Sequence, residues 1–499
     1  MTIMQTLDLE IANAIKGNDL YIRYLDRWKF LLESYLGGDE YRQGAHLTRY
    51  QLETDAEYTA RLRNTPYENH CKSVISVYNS FLFRQEPERE FGVQEDNPVL
   101  EDFLDDADFE GRTFDAFMKD VATWSSVFGH CWIMVAKPNI GAATLAEEQA
   151  AGVRPYVSLL TPLVVLDWRW ERDATGRYTL SYFKYVEDIN GDVRTIKEWT
   201  PTTITTKVID LKNRTMDITE SVENGLGVIP AVIAYSNRST VRGIGVSAIT
   251  DIADACKFIY NATSEVDQSI RLDSHPSLVA TPETQIGTGA GALIRMPENM
   301  DPGLRPYVLD FNGASVDSIY AAIKHSIETI DKMANTGGVR ATETRTQSGI
   351  ALETEFQLLN ARLSEMGDSL ELAEEQIWRL WCLYQGYAYD FEIEYPDSFN
   401  IRDTGNEIAQ LSTAKGAATS PAVLAAIDAK IIEWLDLDAE DDAEEAPLIH
   451  TETTSENRAM HIQEMIMEGL TDQQILDLHP EITQEDIVQA KEQLLNLGE

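Results

Sequence analysis

The chain has 499 residues, 43% hydrophobic and 9% aromatic, with 83 acidic against 41 basic side chains and a net charge of −42. Such hydrophobic content excludes a disordered chain, and the length accommodates about two to four domains. The charge excludes a general nucleic-acid-binding surface, because the chain repels phosphate, and its own copies, over most of its area.

Residues 1–65 read as helices joined by loops. In DLYIRYLDRWKFLLESYL, 19–36, Tyr21, Tyr24, Leu25, Trp28, Leu31 and Leu32 share one helical face, and Gly37-Gly38 stops the run. A second helix, 54–64, precedes Pro66, and 67–85 repeats the period through Val74, Val77, Tyr78, Phe81 and Leu82. Residues 97–135 add a short acidic helix and a longer one that merges into the apolar run FGHCWIMV. The opening MTIMQTLDLEIANAIKG has no basic n-region, so no signal peptide is expected.

The period then changes to two. Residues 155–236 carry PYVSLL, LVVLDWRW, YTLSYFKYV, VRTIKEW, TTKVID and IPAVIAY, with turn chemistry at Thr175-Gly176, Asn190-Gly191 and Lys212-Asn213. They predict one antiparallel sheet. From 245 to 273 the helical period returns, and His275-Pro276 ends it. Residues 276–312, with five prolines and the tract GTGAG, predict a loop-rich β subdomain. Ser315 reads as the N-cap of a helix over 316–333. A Gly/Thr-rich loop, 334–349, follows. Then Leu352 to Tyr384 keep a 4-3 rhythm over about 35 residues, with Gly367 placed to permit a kink. DFEIEY, 390–395, reads as a strand. The remainder is helical and acidic: 431–445 holds eight acids and no base, and Thr471 and Thr483 open a terminal helix pair. No apolar run reaches about 18 residues, so no membrane span is expected.

No motif for catalysis stands. GTGAG at 287–291 lacks the lysine and following helix of a phosphate loop and reads as a flexible loop. The eight histidines are dispersed, and His130 inside its apolar run reads as a core or interface side chain rather than a metal ligand. Trp168 and Trp170 share one strand face and read as core, although acids beside them leave a polysaccharide hydrolase as an alternative. The acids at 436–445 do not match a calcium loop. The last helix, with one lysine and no arginine, lacks the cations a DNA reader needs. No cofactor or metal is expected. Cys71, Cys131, Cys256 and Cys382 are scattered without a CxxC, which predicts a reduced, intracellular folding environment.

The order of parts, with YLGGDEYRQGAHL at 35–47, EYTARLRNTPYENHCKSVISVYNSFLF at 57–83 and SGIAL at 348–352, resembles the portal proteins of tailed double-stranded DNA bacteriophages. The resemblance implies an α+β fold with an α/β wing over 1–242, a stem of helices 243–273 and 315–333, and a small β clip over 274–314. It also implies a tunnel loop over 334–349, a long kinked wing helix with returning strand over 350–400, and a helical crown over 401–499. It implies a non-enzymatic homo-oligomer ring of about twelve subunits at a capsid vertex of the virion, assembled in the host cytoplasm. The ring passes double-stranded DNA and docks a terminase, a head-tail adaptor and the major capsid protein, with no membrane. An acidic scaffold or adaptor without a channel is a further alternative.

An acidic channel suits that reading, because each cation neutralising a phosphate adds affinity that sliding DNA must break. The tunnel-loop candidates are Gly337, Gly338, Arg340, Thr344, Arg345 and Gln347: glycines to bend, neutral polar groups to slide against, and two arginines for weak backbone contact. Lys324 and Lys332 are the candidates for the stem lumen. The bland alternative for the arginines is ion pairing to Glu343 or Glu353.

Overall fold

The computed structural model describes residues 3–396 apart from 139, 142–146, 149–150, 275–276, 283, 287–293, 297–298, 300, 310–313 and 341–348, together with 399, 415 and 427. The chain divides into two compact units, 1–400 and 401–499. The GTGAG tract, the acidic run 431–445, the terminal helix pair and nearly all of the expected crown lie outside the described residues.

The fold is α+β. Five helices open the chain: α1 (Ile3–Ile15), α2 (Asp19–Leu36), α3 (Gly38–Gln43), α4 (Asp55–Asn64) and α5 (His70–Leu82). Local chemistry sets their ends. Asn18 caps α2 by accepting from the Tyr21 N–H, and Gly37 leaves the helix at φ +68°. Thr54 and Glu57 form a reciprocal capping box on α4. Strand β1 (Glu88–Glu90) precedes α6 (Pro98–Asp105) and α7 (Phe114–Phe128), and α7 is buried along one whole face from Phe114 to Phe128.

The single sheet expected over 155–236 is two sheets. Strands β2 (His130–Ala136), β3 (Tyr156–Leu160) and β9 (Ala231–Tyr235) form one in the order β3-β2-β9. Strands β4 (Val165–Arg172), β5 (Tyr178–Asn190), β6 (Val193–Trp199), β7 (Thr203–Asp210) and β8 (Thr215–Glu223) form the other as a meander. The three turn signals sit at its hairpins. The split follows from burial: β2 is covered on both faces and must lie centrally, whereas β8 is almost wholly exposed at an edge.

The next helix begins later than its period suggests. Residues 237–238 and 245–246 pair as β10 and β11, and α8 runs Thr250–Ser274. The cause is a close crossing of backbones. A side chain on Gly245 would stand 1.9 Å from the Gly129 carbonyl oxygen, and Gly129 itself is at φ +90°. Short strand pairs follow: β12 (Ser277–Val279) with β15 (Tyr307–Leu309), and β13 (Gln285–Ile286) with β14 (Ile294–Arg295). Helix α9 (Ala314–Ala334) contains Ser315, so the predicted N-cap lies inside it. A single turn, α10 (Gly337–Arg340), leads toward α11 (Gly349–Gln385).

Helix α11 runs 37 residues as one element through Gly367. Its buried face is Leu359, Leu363, Met366, Leu370, Ala373, Ile377, Trp378 and Trp381, packed in one core with α5, α7, β2 and β9. Strand β16 (Glu392–Glu394) returns to pair with β1. A Cβ on Gly367 would meet Tyr395, Pro396 and Leu82 only at 3.6–3.9 Å, which is ordinary contact. Gly367→Ala is therefore expected to stabilise this unit by about 1 kcal/mol, read as a higher denaturation midpoint. A lower midpoint would show that the glycine serves a bend.

Candidate functional site

The connection from α8 through α9 to α11 holds every residue singled out for DNA contact. Because β12 and β15 pair antiparallel, the end of α8 and the start of α9 lie side by side, and the two helices pack back along each other as a hairpin. Val266, Ile323 and Ile330 belong to the buried core, whereas Phe258, Ile270, Tyr320 and Met333 remain about half exposed. Lys324 and Lys332 are exposed on α9.

The expected loop begins as a built corner. Asn335 takes φ +55°, and the Thr336 N–H reaches back to the Asp331 carbonyl at 3.0 Å, which closes α9 with a left-handed cap. The Tyr78 hydroxyl donates to the Ala334 carbonyl at 2.7 Å, and Thr336 is fully buried. Its carbonyl accepts from the Arg340 N–H, which forms the α10 turn. Gly337 and Gly338 are thus helical, and the left-handed residue is Asn335, which sequence reading passed over. Asparagine is a common substitute for glycine at this position, so the residue type was the available signal.

Arg340 is engaged. Its side chain is 12% exposed and donates to Asp331 Oδ1 at 2.7 Å and to His70 Nδ1 at 2.8 Å. Burial, and then the Arg340 guanidinium, lower the pKa of His70. A neutral ring accepts from Arg340 at Nδ1 and donates from Nε2 to Glu68, 3.3 Å away. Its acid partner among the described residues is Asp331, and Glu343 lies outside them. Thr344, Arg345 and Gln347 lie outside the described residues.

Of the features weighed for other chemistry, Trp168, Trp170 and His130 pack in or against the core. Trp168 is 5% exposed and packs with Trp132, which Trp170 also stacks on at 6.3 Å. Gly243 leaves room for Trp168, because a Cβ there would lie 2.1 Å from the indole nitrogen. An open groove of about 960 Å³ runs beside this strand, and the two acids its strands contribute are paired: Asp167 with Arg169 at 2.9 Å and Glu198 with Lys207 at 2.7 Å. His130 is fully buried and its Nδ1 accepts from the Gly245 N–H. Among the described residues no group of three or more metal-ligating side chains assembles, and no helix is long and apolar enough to cross a membrane.

No protein-family model and no curated protein matches the chain. Among solved structures it is similar to a chain from the virion of a native gene transfer agent particle, at 12% identity and TM-score 0.41, over 78% of this chain and 97% of that one. A chain from the neck of the empty particle, computed with C6 symmetry, aligns at 11% identity and TM-score 0.42 over 79% and 99%. One from the neck of the native particle, computed with C12 symmetry, aligns at 12% and 0.37 over 71% and 88%.

Proposed function

We propose that this chain is a portal-type subunit of a phage-like particle, which assembles as a ring around a DNA channel. The observation that supports this reading is the α8–α9 hairpin. Small strand pairs close it at one end, and a fixed corner joins it toward the 37-residue α11 at the other. Its half-exposed Phe258, Ile270, Tyr320 and Met333 are surface that a neighbouring copy in a ring would cover. In this reading the subunit carries no catalysis, sits at a capsid vertex, and docks a terminase, an adaptor and the major capsid protein. Electron microscopy of the purified protein is expected to show rings of about twelve copies with a central hole. Monomers and dimers alone, across salt conditions, would remove the proposal.

The two arginines divide their work. Arg340 anchors the start of the loop, and Arg345 is the cation offered to the DNA backbone. Arg345→Ala is expected to leave stability and ring formation unchanged while impairing DNA packaging or retention. Arg340→Ala is expected to lower stability by about 1–3 kcal/mol, because it leaves Asp331 and His70 half buried without their donor. Equal stability of the two variants would overturn that division.

A further inference from the structure

Sequence reading found four cysteines scattered along the chain; the fold brings two of them into contact. All four are free and buried, but only Cys71 and Cys256 meet, with Sγ atoms 3.8 Å apart across 185 positions. Cys71 lies in the first turn of α5 and Cys256 in the second turn of α8. Asn69 caps α5 by accepting from the Lys72 N–H, so the two sulfurs meet at the N-terminal end of that helix. Two buried sulfurs thus lie in contact where the start of α5 meets α8.

We propose that Cys71 and Cys256 are a peroxide-responsive dithiol, which hydrogen peroxide converts into a disulfide joining α5 to α8. The Cys71 thiol in contact with Cys256 lowers the pKa of Cys256 while its own is raised, which makes Cys256 the attacking sulfur. Cys256 attacks the peroxide oxygen. The O–O bond breaks, water leaves after taking up a proton, and Cys256 becomes a sulfenic acid. The Cys71 sulfur then gives up its proton and attacks the Cys256 sulfur. The S–O bond breaks, and the hydroxide takes that proton and leaves as a second water. Two thiols and one peroxide become one disulfide and two waters. The burial of both residues, at 0% and 1% exposed, admits only a small oxidant and makes local opening the slow step.

The bond would act next to the corner. Cys71 follows His70 directly, and His70 holds Arg340. Oxidation therefore fixes the first turn of α5 to α8 at the place where the end of α9 is tethered.

The test uses the purified full chain, hydrogen peroxide and no DNA, so its failure leaves the portal reading untouched. After oxidation and denaturing alkylation, the accessible thiols are expected to fall from four to two, with a single Cys71–Cys256 linked peptide in a non-reducing map. The oxidised protein is expected to melt several degrees higher, and dithiothreitol is expected to reverse the shift. Cys71→Ser, with folding checked by circular dichroism and Cys71→Ala as a second variant, is expected to trap Cys256 as a sulfenic acid that a 1,3-dione probe labels. Four alkylated cysteines after peroxide, or oxidation of Cys131 or Cys382 at the same rate, would overturn the proposal. Folded Cys71 variants that take no probe would overturn the role given to Cys256.

Discussion

Glu374→Ala is expected to destabilise the 1–400 unit by about 3–5 kcal/mol, the largest effect of any single truncation considered. Glu374 is a carboxylate with 0% exposure, and three donors reach it. Arg89 binds it through Nε at 2.5 Å, Trp378 donates from Nε1 at 3.0 Å, and Tyr395 donates from its hydroxyl at 2.7 Å. Arg89 also binds Asp115 at 2.7 Å. This one side chain therefore joins β1, α7, α11 and the end of β16. Removing it leaves the buried guanidinium with Asp115 as its remaining carboxylate and the Trp378 and Tyr395 donors facing a void, and these unmet groups, rather than the lost attraction, set the cost. The measurement is the urea midpoint of Glu374→Ala against wild type. Replacing both partners, Arg89→Met with Glu374→Leu, is expected to recover most of the loss. A double variant as unstable as the single one would show that the hydrogen bonds to Trp378 and Tyr395 carry the effect.

The second large effect is acid sensitivity through His130. Burial pushes this imidazole down from 6.5 to about 3. In the unfolded chain it takes up a proton below about pH 6.5, whereas in the folded chain it stays neutral until about pH 3. Between these values the unfolded state binds more protons, so stability falls as the pH falls. The fully developed loss is about 4–5 kcal/mol. His130→Gln removes the titration and keeps a side-chain acceptor for the Gly245 N–H. The stability difference between wild type and variant is expected to shift in the variant's favour from pH 6.5 down to pH 4. A constant difference over that range would place His130 outside the acid response. The protonated ring has nowhere to go, because it sits between Trp28 and Tyr235 with the Gly129–Gly245 crossing beside it.

Helices were the legible part of the sequence wherever one face carried the core. The periods of 19–36 and of 352–384 placed α2 and α11 to within a few residues, because apolar spacing is a local property. Strand positions were legible for the same reason, and partners were not. Nothing near 231–235 says that it pairs with 130–134, a hundred residues earlier, so two sheets read as one. Strand β1 was invisible because Glu88, Arg89 and Glu90 carry no alternation, and its strand character comes entirely from β16. The candidate site divides in the same way. Composition located the corner after α9, but the fixed turn at Asn335 and the tether from Arg340 to His70 depend on α5, 270 positions away. The Cys71–Cys256 contact was out of reach for the same physical reason.

The Arg340 tether has a mechanical consequence. A pull on the chain beyond residue 340 is shared between the last turn of α9, through Asp331, and α5, through His70. It is taken up first by the guanidinium gripping His70 and Asp331, and then by the Tyr78 hydroxyl holding the Ala334 carbonyl. Two of those three attachments belong to α5, so tension runs sideways into the body as well as down the hairpin. The corner works as a cleat, and the helix pair carries only part of the load while the segment past it is drawn.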